Sequence, residues 1–134
     1  MIKIKHHNTL LLRFIVALIL IIHGVGGMFN NGVYEFGKLF LDHKGFAPIG
    51  VPLAWAIKIS HVLAAICLLV EKYVKWACLV TMIILITGIF MVHLPNGWFV
   101  VGGGTNGIEF NLLLIFALLT IMFPEGIGKG KARP

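Results

Sequence analysis

Five ionisable side chains stand within or beside long apolar runs: His23, Lys58, His61, His93 and Glu109. Carrying such groups to membrane depth is costly, and they face a bundle interior or a cavity, so each is a candidate for ligand binding or proton relay. Their types suit that chemistry. Imidazole and ammonium N–H groups donate hydrogen bonds to a ligand, and a carboxylate passes protons on. Ala54, Lys58, His61 and Ala65 follow steps of four, three and four residues, which is one helix face of small and polar groups. His23 is followed by Gly24, Gly26 and Gly27, whose missing side chains let a neighbouring helix or a ligand come close.

Each residue also has a plainer reading. Lys58 anchors a span at the lipid headgroups. His23 and His93 lie near run ends, where an interfacial histidine is ordinary, and His61 hydrogen-bonds a helix carbonyl. Asn106 and Glu109 have the spacing of a capping box, in which Glu reaches back to the first backbone N–H of a helix. Residue type leaves both readings open at every position.

The elements that position these groups follow from composition. A chain of 134 residues holds one domain. Apolar residues make up 59%, charged residues 12%, and mean hydropathy is +0.99. A soluble domain has about 25% charged residues, and a disordered chain has low hydrophobicity with dense charge. Both classes are excluded. Four apolar runs remain, over residues 10–28, 53–70, 74–94 and 108–123, against the roughly 17–25 residues a transmembrane helix needs. They do not alternate as barrel strands do. The expected fold is an all-α bundle of four transmembrane helices.

Lys3, Lys5, Arg13, Lys72, Lys75, Lys129, Lys131 and Arg133 fall on one side of that bundle, and only Lys38, Lys44 and Lys58 on the other. The positive-inside rule then puts both termini in the cytoplasm. The net charge of +6 is therefore a matter of topology, and no basic stripe of a nucleic-acid binder is present. Lys3 and Lys5 ahead of an apolar stretch resemble a signal peptide, but the run is long and lacks a cleavage site, so an uncleaved first span is expected. His6-His7 reads as a polar flank.

The five candidates all fall in the periplasmic half of this topology, from four helices. The inner halves hold Thr81 but no ionisable residue beyond the terminal flanks. Between the first two runs, Phe29 to Pro52 is long for a bundle connection. Phe36, Leu39 and Phe40 suit one face of an interfacial helix, or the segment is a packed plug over the bundle mouth. Cys67 and Cys78 flank the cytoplasmic Glu71–Lys75 connection and are expected as reduced, buried thiols.

Familiar cofactor signatures are missing. Gly102-Gly103-Gly104 lacks the Lys-Ser/Thr of a phosphate loop, and there is no Cys-x-x-Cys and no His-Glu-x-x-His. No metal site and no covalently held cofactor is expected. Haem ligation by two of the histidines has no supporting feature.

The segment His93-Leu94-Pro95-Asn96-Gly97-Trp98-Phe99, followed by Gly103-Gly104 and Glu109, resembles the DoxX family. So do the long first outer connection and the Gly-rich stretch from His23 to Met28. The resemblance implies a small bacterial inner-membrane protein linked to redox chemistry. One branch of that family is the small subunit of a thiosulfate:quinone oxidoreductase, and others are tied to quinone, catechol or thiol stress. Related proteins often carry Glu where Ser60 or His61 stands here, so a shared carboxylate mechanism does not transfer to that span.

Two functions follow as expectations. In the first the chain is a quinone-linked oxidoreductase subunit: His61, His93 and Lys58 donate to quinone carbonyls, Glu109 relays protons, and Phe90, Trp98 and Phe110 wall a flat ring. Electrons then come from a partner subunit. In the second the chain is a non-catalytic accessory that packs against or stabilises a larger membrane complex, or a second copy of itself. A small-anion transporter would need a broken-helix repeat pair, which the sequence does not display.

Overall fold

The computed structural model describes residues 6–128. Lys3, Lys5, Lys129, Lys131 and Arg133, five of the eight cations behind the expected orientation, lie outside the described residues, as do the side chains of His6 and His7. The described residues are helical, with no strand. Helix α1 spans Leu10–Val25, α2 Gly32–Glu35, α3 Gly50–Val70, α4 Val74–Gly88 and α5 Glu109–Met122.

Local chemistry sets these limits. α1 stops three residues short of the apolar run because Gly26 and Gly27 follow it, and Gly27 takes a left-handed φ of 84° that costs only glycine nothing. α3 begins at Gly50 rather than after Pro52, since a proline is tolerated in a helix's first turn, where its missing N–H has no partner anyway. α4 continues through a π turn, Ile89–His93, and a 3-10 turn, Leu94–Asn96, as one helical rod. α5 ends just before Pro124.

Four helices pack in a ring: α1 against α3 and α5, and α4 against α3 and α5. α1 turns Arg13, Val16, Ala17, Leu20 and Gly24 inward, a stripe at helical spacing. α3 answers with Ala54, His61, Ala64, Ala65 and Leu68, and α5 with Leu114, Ile115, Leu118 and Ile121. Small residues bring backbones close. A Cβ on Gly24 would lie 2.7 Å from Val62 Cγ2 and 3.0 Å from the Lys58 carbonyl oxygen, so this helix crossing accepts only glycine. Cys67 and Cys78 are free thiols, the second fully buried.

The first long connection is itself helical, from α2 through a π turn, Phe36–Leu41, to a 3-10 turn, Asp42–Lys44, and it lies across α3. Its buried face is Val33, Gly37 and Leu41. The expected face of Phe36, Leu39 and Phe40 is corrected in part: Phe36 and Phe40 stack at 5.6 Å and are half-buried, but Leu39 is 64% exposed. The cause is Gly37, which rests directly on the backbone of Gly50 and Val51 and so turns position 39 outward. The Asp42 carboxylate completes the joint. It accepts the Gly50 N–H at 2.9 Å, at the start of α3, and pairs with Lys38 at 3.1 Å. Each holds the other charged: Lys38 keeps the Asp42 carboxyl below the usual carboxylate range, and Asp42 raises Lys38.

Large apolar side chains cover the outside, among them Leu11, Phe14, Ile22, Leu63, Ile83, Phe90 and Leu113. Continuous apolar exposure on this scale marks contact with lipid. α3 and the rod from Val74 to Asn96 are long and apolar enough to cross a bilayer, while α1 and α5 are apolar but shorter.

Candidate functional site

At one end of the ring α1 and α4 finish while α3 and α5 begin, and a chamber of about 380 Å³ opens there, within the range of small-ligand sites. Its walls come from α1, the Phe36 turn, α3, α4 and α5, with Val100, Asn106 and Gly107 of the last loop over it. Most of the lining is apolar, including Ile19, Leu20, Ile84 and Leu114. Set into it are His23, His61, His93 and Asn111.

His61 is the most deeply placed of the three histidines. It is 9% exposed, and its ring sits by the Ile57 carbonyl one turn back, with no Nδ1 hydrogen bond of normal geometry. A buried polar atom without a partner carries a free-energy cost, which a ligand's hydrogen-bonding group removes. His93 is oriented: Nδ1–H donates to the Asn106 carbonyl at 2.9 Å. In its neutral form this leaves Nε2 as an acceptor. Asn111, buried beside Gly88, donates from Nδ2 to the Leu85 carbonyl at 3.4 Å, across from α5 to α4. His23 is exposed at the chamber's outer rim.

Lys58 and Glu109 do not line the chamber. Lys58 Nζ donates to the His23 carbonyl at 2.8 Å, closing the C-terminal end of α1, where the helix dipole favours a cation. Glu109 forms no capping box with Asn106, since no side chain caps α5. Instead its Oε1 accepts the N–H of Val100 at 2.6 Å and of Val101 at 3.2 Å. With Gly107, Ile108 and Glu109 N–H groups bonded to the carbonyls of Phe99, Gly97 and Trp98, this carboxylate fastens the last loop over the chamber.

The family model described as DoxX matches residues 8–94, more than half of the chain. The chain belongs to the DoxX family. No curated protein and no solved structure matches it. The DoxX match covers α1 through the rod and stops before the Trp98–Glu109 loop, on which the resemblance in the sequence partly rests. It makes the chain a membrane-associated protein, in agreement with the two helices long enough to span.

Among the expected walls of the DoxX chamber, Phe110 lines it, but Phe90 and Trp98 do not. Phe90 lies two positions past Gly88, on the opposite side of the rod, and is 67% exposed. Trp98 sits outside in the loop, half exposed, with its carbonyl paired to Glu109. The π turn inserts one residue per turn and so brings His93, five positions after Gly88, back to the inner side. Among the described residues no group of three His, Cys, Asp or Glu side chains is arranged to hold a metal ion.

Two polar residues were not singled out by sequence reasoning. Asn111 is polar but not ionisable, and an asparagine inside an apolar run was the available signal. Arg13 counted only as a topological charge, yet it is 1% exposed at the far end of the bundle. It donates to the Leu68 carbonyl at 2.6 Å and to the Glu71 carboxylate. The end of the bundle away from the chamber thus contains a buried cation, one that ties α1 to the end of α3.

Proposed function

We propose that this DoxX protein crosses the bacterial inner membrane four times with both termini in the cytoplasm, and that the chamber at its periplasmic end binds a quinone as part of a quinone-linked oxidoreductase. The observation that carries the reading is His61: a buried imidazole whose one carbonyl neighbour, Ile57, lies outside normal hydrogen-bond geometry, set in an otherwise apolar chamber that His93 and Asn111 share. Quinone carbonyls accept hydrogen bonds, and His61 N–H and the Asn111 amide supply them. Quinol hydroxyls donate, and the oriented His93 Nε2 accepts. Phe110 and Phe36 offer flat apolar surface to the ring. Reduction of a quinone takes two electrons and two protons. The electrons are assigned to a partner subunit, and the protons reach the chamber from its open rim at His23.

The topology draws support from the ring packing, the exposed apolar coat and the three-residue turn between α3 and α4, which makes them antiparallel neighbours. α1 and α5, the shorter helices, fit a locally thinned bilayer.

The test is equilibrium titration of the protein in lipid nanodiscs with a tailless benzoquinone. His61→Ala weakens binding about tenfold, the upper range for one hydrogen bond, and His61→Gln restores part of it. A wild-type protein that binds no quinone, yet purifies in mild detergent with a stoichiometric partner, would establish the accessory role instead.

A further inference from the structure

A second chamber, about 250 Å³, lies beside the first between α3, α4 and the Phe36–Leu41 turn. Phe40, Phe46, Ile57 and Met91 line it, and its one polar side chain, Thr87, spends its hydroxyl on the Ile83 carbonyl at 2.9 Å. Ile83 and Thr87 are exposed, so this chamber opens sideways onto the apolar flank of α4. The two chambers share Phe36, Ile84, Gly88 and Val92.

Gly88 is the informative member of that wall. Its backbone is ordinary right-handed helix, with φ −60° and ψ −38°, so no unusual dihedral calls for glycine. Nor does crowding: a Cβ there would meet Asn111 Nδ2 at 3.5 Å and His93 Cδ2 at 3.9 Å, ordinary contact distances. Glycine inside a helix costs about 1 kcal/mol relative to alanine. With hydrogen as its side chain, Gly88 adds no bulk to the wall that the two chambers share.

We propose that the two chambers form a single head-and-tail site, in which the polar head of a lipid-soluble ligand lies by His61 and His93 while its hydrocarbon tail passes Gly88 into the apolar chamber and out to the bilayer. This rests on the quinone reading above and deepens it, because it selects membrane-borne, isoprenoid-tailed quinones over water-soluble ones. The polarity difference between the chambers matches the two halves of such a molecule, and the lateral opening faces where it is stored.

The probe is a benzoquinone carrying one isoprene unit that ends in a diazirine, photolysed with the protein in nanodiscs and mapped by peptide mass spectrometry. Specific label is that removed by excess tailless benzoquinone. It is expected on Ile83–Val92 and Phe36–Phe46. Met91→Trp, and independently Thr87→Trp, both at positions of the apolar chamber alone, cut it about tenfold, as overfilling a packed site does, while tailless benzoquinone still binds. Specific label on Ile19 or Leu114 instead, or undiminished label in both variants, overturns the tail path and leaves the quinone reading standing. Failure of the wild-type protein to bind either the tailed probe or tailless benzoquinone overturns both.

Discussion

Glu109 accepts two backbone N–H groups from the loop that precedes its own helix, and the loop's Asn106 and Gly107 lie over the histidine chamber. Hydrogen bonds to a charged acceptor are worth about 1.5–3 kcal/mol when buried, and one of this pair ends on exposed Val101. Glu109→Ala therefore releases the loop by about 2 kcal/mol, and amide hydrogen exchange at Val100 speeds up roughly thirtyfold. Glu109→Gln, which keeps an acceptor but loses the charge, gives an intermediate rate. Unchanged exchange in both variants would show that the backbone pairs hold the loop unaided. The histidines were legible as a group because ionisable residues in apolar runs are conspicuous. Their individual duties were not, since Lys58 and Glu109 are of the same conspicuous type yet spend themselves on backbone groups. Asn111 escaped because a neutral amide carries no such alarm.

Among the elements, the helical connection between α1 and α3 is the one whose placement depends most on a single joint. Asp42 holds the N-terminus of α3 and Lys38 together, and its carboxyl is depressed below its ordinary value chiefly by the Lys38 hydrogen bond. A depressed folded-state carboxyl contributes stability above the unfolded value, near pH 4, and loses it as pH falls through the lower folded value. Thermal unfolding in detergent should thus separate wild type from Asp42→Asn at pH 7, with the gap closing below pH 4. A gap that persists in acid would assign the joint to the Gly50 hydrogen bond alone. Helix existence was readable from the four apolar runs. The end of α1 was not, because Gly26-Gly27-Met28 continues the first apolar run in composition. The start of α3 was not, because Pro52 reads as a stop although a first turn admits it. The π turn was equally hidden, and with it the outward turn of Phe90, because one added residue in a turn leaves no mark on composition.

For the whole molecule, the two ends of the bundle differ in kind. One end is a chamber; the other is closed by Arg13, buried against the Leu68 carbonyl and the half-exposed Glu71 carboxylate. Removing one partner of a buried pair costs more than removing the buried charge itself. Glu71 is over a third exposed and Arg13 keeps the Leu68 carbonyl, so Glu71→Ala should destabilise by about 1 kcal/mol, and Arg13→Met by less, measured as unfolding in a graded detergent titration. The reverse order would mean that Arg13 works by packing its stem. The polar bonds described here pair the helices unevenly. Arg13 and Lys58 rivet α1 to α3 near both ends of α1, and Asn111 ties α5 to α4. The two leaves so formed meet across largely apolar faces. The histidine chamber straddles that seam, with Leu20 and His61 on one leaf and Leu85, His93 and Asn111 on the other, so the fit between the two leaves sets the shape of the cavity.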